Sequence, residues 1–98
     1  IQYKYKLGTH RNNRRLWLEG NRLSSHGFVK DKRYNLRYAT NCIMIEFDEF
    51  GTHKINGTDK RPIIDICNMK VGQNIKTDNV MVAFDVDNLL IEGIENDT

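Results

Sequence analysis

An apolar strand that turns, within two residues, into a short polar helix constrains this chain more than any other feature, because the event happens twice. RLWLE (15–19) puts Leu16 and Leu18 on one face and Trp17 on the other, Gly20-Asn21 ends it, and Asn21 can cap the helical turn after it. RLSSHG then makes about one helical turn, Gly27 stops it, and Phe28 plugs back into the core. Forty-seven residues later IIDIC (63–67) reads as a strand, Asn68 begins the polar turn NMKVGQN, and Ile75 is a lone apolar plug. A free half of about 45 residues cannot bury enough apolar surface alone, so the two halves must share one core.

Each unit continues as a hairpin. KRYNLRYAT (32–40) and CIMIEFD (42–48) flank a tight Thr-Asn junction, and NVMVAFD (79–85) and LLIEGI (89–94) flank Val86-Asp87-Asn88. An ungapped overlay at the offset of 47 sets Leu16 on Ile63, Trp17 on Ile64, Asn21 on Asn68, Phe28 on Ile75, Asp31 on Asp78, Tyr34 on Met81, Leu36 on Ala83 and Ile43-Met44 on Leu90-Ile91. The expected organisation is a single domain, 1–98, with internal halves 14–48 and 61–95 joined by a connection over 49–60, in which Asn56-Gly57 is a turn signal. YKYKL (3–7) adds a further strand, and the tail ENDT is expected to fray. The expected core is Leu16, Leu18, Leu23, Phe28, Leu36, Ile43, Ile45, Ile64, Ile66, Ile75, Val80, Val82, Phe84 and Leu90.

The strand, the leucine-bearing turn ending in Gly27-Phe28, and the hairpin after it resemble the AbrB-like swapped-hairpin superfamily. Within it, LEGNRLSSHGFVKDKRYNLRYATNCIMIEF looks most like the SymE-type toxin/antitoxin-associated branch, through Leu23, Gly27, Phe28, Leu36 and Ile43. The second half fits in outline only, with Asn74-Ile75 in place of Gly-Phe. The resemblance implies a mainly β fold with short helical turns, an AbrB-like swapped-hairpin barrel formed here by two tandem β-α-β-β halves in one chain. It also implies nucleic-acid binding through basic loop residues, with roles in transcription regulation or toxin-antitoxin systems.

Charge gives that implication a location. Residues 1–38 carry ten bases against Glu19 and Asp31, a net of +8, whereas 39–98 carry five bases against eleven acids, a net of −6. So lopsided a distribution suggests a polyanion-facing end and an acidic end. Arg11, Asn12, Asn13, Arg14 and Arg15, with Arg22, Lys30, Lys32 and Arg33, supply guanidinium forks, amides and ammonium groups suited to phosphates and base edges of DNA or RNA. Tyr3, Tyr5, Tyr34 and Tyr38 alternate with bases, a pattern that serves either a strand with one packed face or a platform for single-stranded bases.

Two other functions remain open. The acidic half, through Glu46, Asp48, Glu49, Asp85 and Asp87, suits docking on a basic host protein, as a phage or mobile-element inhibitor does. A SymE-like ribonuclease toxin would use His10, His26 or His53 as acid and base, although no pair has diagnostic spacing. EFDEF (46–50) and DVD (85–87) bring carboxylates together, but hairpin turns are rich in acids for solubility alone, and neither metal nor cofactor is expected. Cys42 and Cys67 read as reduced thiols in apolar runs. NGT (56–58) and NDT (96–98) match the glycosylation pattern, yet IQYKYKL lacks the order of a secretory signal and no run of 18 apolar residues occurs. The expectation is a cytoplasmic protein without membrane association, either a monomer with pseudo-two-fold halves or a homodimer.

Overall fold

The computed structural model describes residues 1–95, so most of the ENDT tail and the NDT triplet lie outside the described residues. The chain is mainly β, with strands β1 (Gln2–Lys6), β2 (Gly8–His10) and β3 (Asn13–Glu19), helix α1 (Asn21–Ser24), then β4 (Arg33–Ala39), β5 (Cys42–Phe47), β6 (His53–Lys54), β7 (Asn56–Gly57) and β8 (Pro62–Cys67), helix α2 (Met69–Asn74), β9 (Asn79–Phe84) and β10 (Asn88–Ile94). No helix among the described residues is long and apolar enough to cross a membrane.

These strands form two antiparallel sheets, one in the order β1-β9-β10-β5-β4-β6 and the other in the order β2-β3-β8-β7. Alternation sets their faces: Leu16 and Leu18 on β3, Ile64 and Ile66 on β8, Ile43 and Ile45 on β5, and Val80 and Val82 on β9 all point into one shared core. The closed barrel implied by the resemblance is not formed. Hydrogen bonding breaks where the chain changes sheets, at Leu7 between β1 and β2 and at Ile55 between β6 and β7, and both residues are buried corners. There the backbone donates instead from Leu7 N to Asp78 O at 2.8 Å and from Ile55 N to Lys32 O at 2.9 Å.

The internal repeat is longer than the sequence indicates. Residues 49–60 are no mere connection, because β6 and β7 take the places in the second unit that β1 and β2 take in the first. Asn56-Gly57 is strand, paired with Ile63 and Pro62, and the turn falls on 58–61. The offset of 47 also needs correcting. Gly8↔Arg15 in β2–β3 matches Asn56↔Ile63 in β7–β8, which fixes an offset of 48 ahead of the helices. Leu36↔Ile45 in β4–β5 matches Val82↔Ile91 in β9–β10, which fixes 46 after them. Leu16 therefore corresponds to Ile64, Tyr34 to Val80 and Met44 to Leu90, while Phe28 still corresponds to Ile75. A slip of one residue turns every side chain of a strand to the opposite face. That is why Leu89 and Ile91 are fully buried while Leu90, expected in the core, is only half-buried on the outer face. Leu36 is likewise partly exposed, though it packs against the core.

The two extra residues of the first unit lie between α1 and β4. The amide of Phe28 donates to Leu23 O at 2.9 Å and that of Gly27 to Ser24 O at 3.1 Å, a Schellman closure with Gly27 at φ +83°. The second unit ends α2 without this hook, Ile75 N donating to Val71 O at 2.9 Å. Asn21 is inside α1 and Gly20 is its cap, whereas Asn68 caps α2 with its side chain accepting from Lys70 N at 2.8 Å.

Candidate nucleic-acid interface

Strands β3 and β8 pair across the pseudo-dyad, Leu16 with Ile66 and Leu18 with Ile64. Strands β5 and β10 do the same, and the outermost strands are exchanged, β1 of the first unit adding to β9 and β6 of the second adding to β4. Charges that look separate in sequence are thereby interleaved. Arg14 donates to Asp78 Oδ1 at 2.9 Å and to Thr77 O at 3.3 Å. Arg15 grips both oxygens of Asp65, at 2.9 and 2.8 Å, which raises the guanidinium pKa further, and its Cζ lies 4.5 Å from the centre of the Trp17 ring. Reciprocal pairs join Arg61 to Glu19 at 3.4 Å and Lys54 to Asp31 at 3.6 Å.

The nine basic-half candidates consequently do not form one patch. Arg11 and Asn12, at φ 51° and 66°, make the two-residue turn between β2 and β3, their backbone matched to the hairpin twist, and both are exposed. Asn13 and Arg14 continue into the groove beside α2. Arg15 faces outward from the four-stranded sheet, beside Trp17. Arg22 stacks on β1, 4.1 Å from the Tyr3 ring and 5.5 Å from the Tyr5 ring. Lys30 is exposed in the loop after α1, Lys32 lies 3.8 Å over the Phe47 ring, and Arg33 donates to Gly51 O at 3.1 Å.

What the structure brings together is the β2–β3 turn and α2. Asn12, Asn13, Arg14, Asn68, Met69, Gly72, Gln73 and Lys76 line one groove, which continues past Asn13, Asn68 and Met69 to Lys70, Tyr38, Leu36, His53 and Cys67. Among the described residues no carboxylate lines either part. Lys70, Gln73 and Lys76 belong to the second half, and a count of charge by halves hides them. Their signal was present in NMKVGQNIK, which carries bases and amides without an acid.

Carboxylates collect at the other place where the two halves meet. Asp31, Asp48, Glu49 and Asp87 surround a cavity that also takes Lys32, Arg33 and Phe47. Phe47 N donates to Asp87 O at 3.0 Å, which ties the end of β5 to the β9–β10 turn. Asp48 and Asp85 cap their own turns through Phe50 N and Val86 N, both at 2.8 Å, and Glu46 pairs with Arg37 at 3.0 Å. Phe50 and Val86 stand 85% and 80% exposed beside these acids. No hydrogen bond or ring contact joins the three histidines: His26 packs on Phe84 and His53 on Tyr34. Among the described residues no group of three His, Cys, Asp or Glu side chains could hold a metal, and both cysteines are free thiols.

No protein-family model, curated protein or solved structure matches this chain.

Proposed function

We propose that this protein binds nucleic acid through the continuous surface of the β2–β3 turn and α2, with Arg11, Lys70 and Lys76 on phosphates and Asn12, Asn13 and Gln73 as amide donors and acceptors. The observation that carries the reading is the charge sorting: one groove is lined by cations and amides from both halves and, among the described residues, by no carboxylate, while four acids line a cavity elsewhere. Exchange of β1 and β6 across the pseudo-dyad supports the swapped-hairpin resemblance, in which loop cations face the nucleic acid, and a regulatory role follows from it.

The experiment is fluorescence anisotropy of labelled duplex DNA, single-stranded DNA and structured RNA at two salt concentrations. Arg11→Glu with Lys76→Glu is the informative variant, since neither side chain has an ion pair among the described residues. Two lost phosphate contacts lower the slope of log affinity against log salt by about 1.5–2. Absence of binding to all three nucleic acids at low salt overturns the proposal.

Exposed Phe50 and Val86 amid Asp48, Glu49 and Asp87 favour a second reading, an apolar anchor in an acidic rim that docks on a basic protein. Capture of one basic protein from a host lysate by the wild type and not by Phe50→Ser supports it, and equal capture by both refutes it.

A further inference from the structure

The pseudo-dyad provides an internal comparison, because every structural site in one half has a counterpart in the other, and one counterpart pair differs in a way that bears on ligands. The cavity lined by Asn13, Leu36, Tyr38, His53, Cys67, Asn68, Met69 and Lys70 has a volume of about 600 Å³, within the range of small-ligand sites. With the offsets fixed by strand register, its counterpart has Arg61 for Asn13, Phe84 for Tyr38, Tyr5 for His53, Glu19 for Cys67 and Arg22 for Lys70.

That counterpart is closed by the chain itself. Tyr3 sets its ring edge-on to Phe84 at 5.5 Å, Arg22 covers Tyr3 at 4.1 Å, and His26 lies on Phe84 at 4.7 Å. The Arg61–Glu19 ion pair crosses the same region at 3.4 Å. The open site lacks the covering ring, the histidine and the ion pair, and keeps only the cation, Lys70. β6 begins only at His53, after a turn over 48–51 that sits against Tyr34, so among the described residues no strand residue stands where Tyr3 does; the shorter segment after α2 supplies no histidine, and Asn13 and Cys67 replace the ion pair. What remains is an aromatic floor, Tyr38, with its hydroxyl held by Asn68 Nδ2 at 3.0 Å and Lys70 Nζ 5.4 Å from its ring centre. Met69 stands 67% exposed at the rim, and the Asn13 side-chain amide has no partner among the described residues.

The filled half therefore indicates what the open half accepts: a planar aromatic group beside the floor ring and under a cation. We infer that this cavity receives one unpaired nucleobase of a single-stranded nucleic acid, stacked against Tyr38 and Met69, with its edge read by Asn13 and its phosphates on Lys70 and the adjoining Lys76. The assignment rests on the nucleic-acid reading above and adds to it a strand state and a site. Base stacking on protein aromatics tolerates sequence, because every base offers a π-face, so the site selects single strands over duplex.

The test uses short single strands, ribo- and deoxyribo-, carrying one 2-aminopurine, with anisotropy from a terminal dye read alongside the base emission. In the wild type the emission falls as the strand binds. Asn13→Arg with Cys67→Glu rebuilds the closing ion pair of the other half at constant net charge. Met69→Ala removes a rim side chain too exposed to matter for folding. The closing variant loses the emission change and weakens binding by roughly tenfold to a hundredfold, and Met69→Ala gives a partial loss of both. The ribo and deoxyribo arms show which sugar the site prefers. Strands that bind with no emission change in the wild type overturn the inference and leave the nucleic-acid proposal standing. An emission change untouched by both variants also overturns it, and no binding in anisotropy overturns both.

Discussion

Truncating two adjacent leucines, Leu89→Ala and Leu90→Ala, tests the register that defines the repeat. Leu89 is fully buried, pairs with Ile45 and Phe84, and faces the shared core. Leu90 pairs with Met44 and Ala83 on the outer face and is half-buried. Leucine-to-alanine truncation at a fully buried site costs about 3 kcal/mol, the sum of lost transfer energy and the cavity left behind. For a domain of this size that lowers Tm by roughly 10–25 °C. Leu90→Ala costs less than about 1 kcal/mol, because solvent already reaches its side chain and no enclosed cavity forms. Urea unfolding followed by far-ultraviolet circular dichroism reads both, with Trp17 emission as a second probe. Equal losses for the two variants, or a larger loss at Leu90, refute the face assignment and with it the offset of 46 on which the comparison of the two cavities depends.

Other outcomes hang on single contacts. Burial pushes the Tyr34 hydroxyl up to about 12, so the folded state favours the neutral phenol; its contribution is complete below the unfolded pKa near 10 and is lost as pH rises from about 10 to 12. Wild type therefore loses up to about 2–3 kcal/mol more than Tyr34→Phe across that window in urea titrations, and parallel pH profiles refute the assignment. A Cβ on Gly51 meets the Tyr34 backbone at 2.6 Å, so Gly51→Ala destabilises by about 1–3 kcal/mol in thermal melts, and an unchanged Tm means that the two segments do not touch. Asn68→Ala removes the α2 cap and costs about 1 kcal/mol, while Asn21→Ala, inside α1, costs a few tenths; a reversed order in denaturant midpoints contradicts the assigned caps.

Most elements were legible in the sequence because their signals are local. Alternation in RLWLE and CIMIEF, the Gly27-Phe28 hook and the opening proline at Pro62 each mark a boundary that the structure keeps. Relations between elements were harder to read. The extra residues after α1 fall on either side of Phe28, so an ungapped overlay splits the difference and is right only at the plug, where Phe28 meets Ile75. It exchanges Leu89 for Leu90 because a strand reports its face by parity alone. The second-unit counterparts of β1 and β2 were missed because β6 and β7 are two residues each, too short to show any period. For the candidate site, the sequence singled out the turn that lies beside the groove, Arg11 to Arg14, but it also counted Arg14 and Arg15 as available. Asp78 and Asp65 lie 64 and 50 residues away and meet these arginines only after the halves interlock.

The exchange of outer strands also governs the order in which the chain can acquire structure as it leaves a ribosome. Tyr3 waits for Val82 and Ile43 waits for Ile91. During most of elongation β1 and the open edge of β5 have no partner, and contacts of such long range fold slowly. A stalled or truncated nascent chain would present two unpaired strand edges, a template for association with its neighbours on the same message. Interlocking two units in one polypeptide supplies each with its partner at an effective concentration no separate subunit could match, and delays the protection of its first strand until nearly the last has been made.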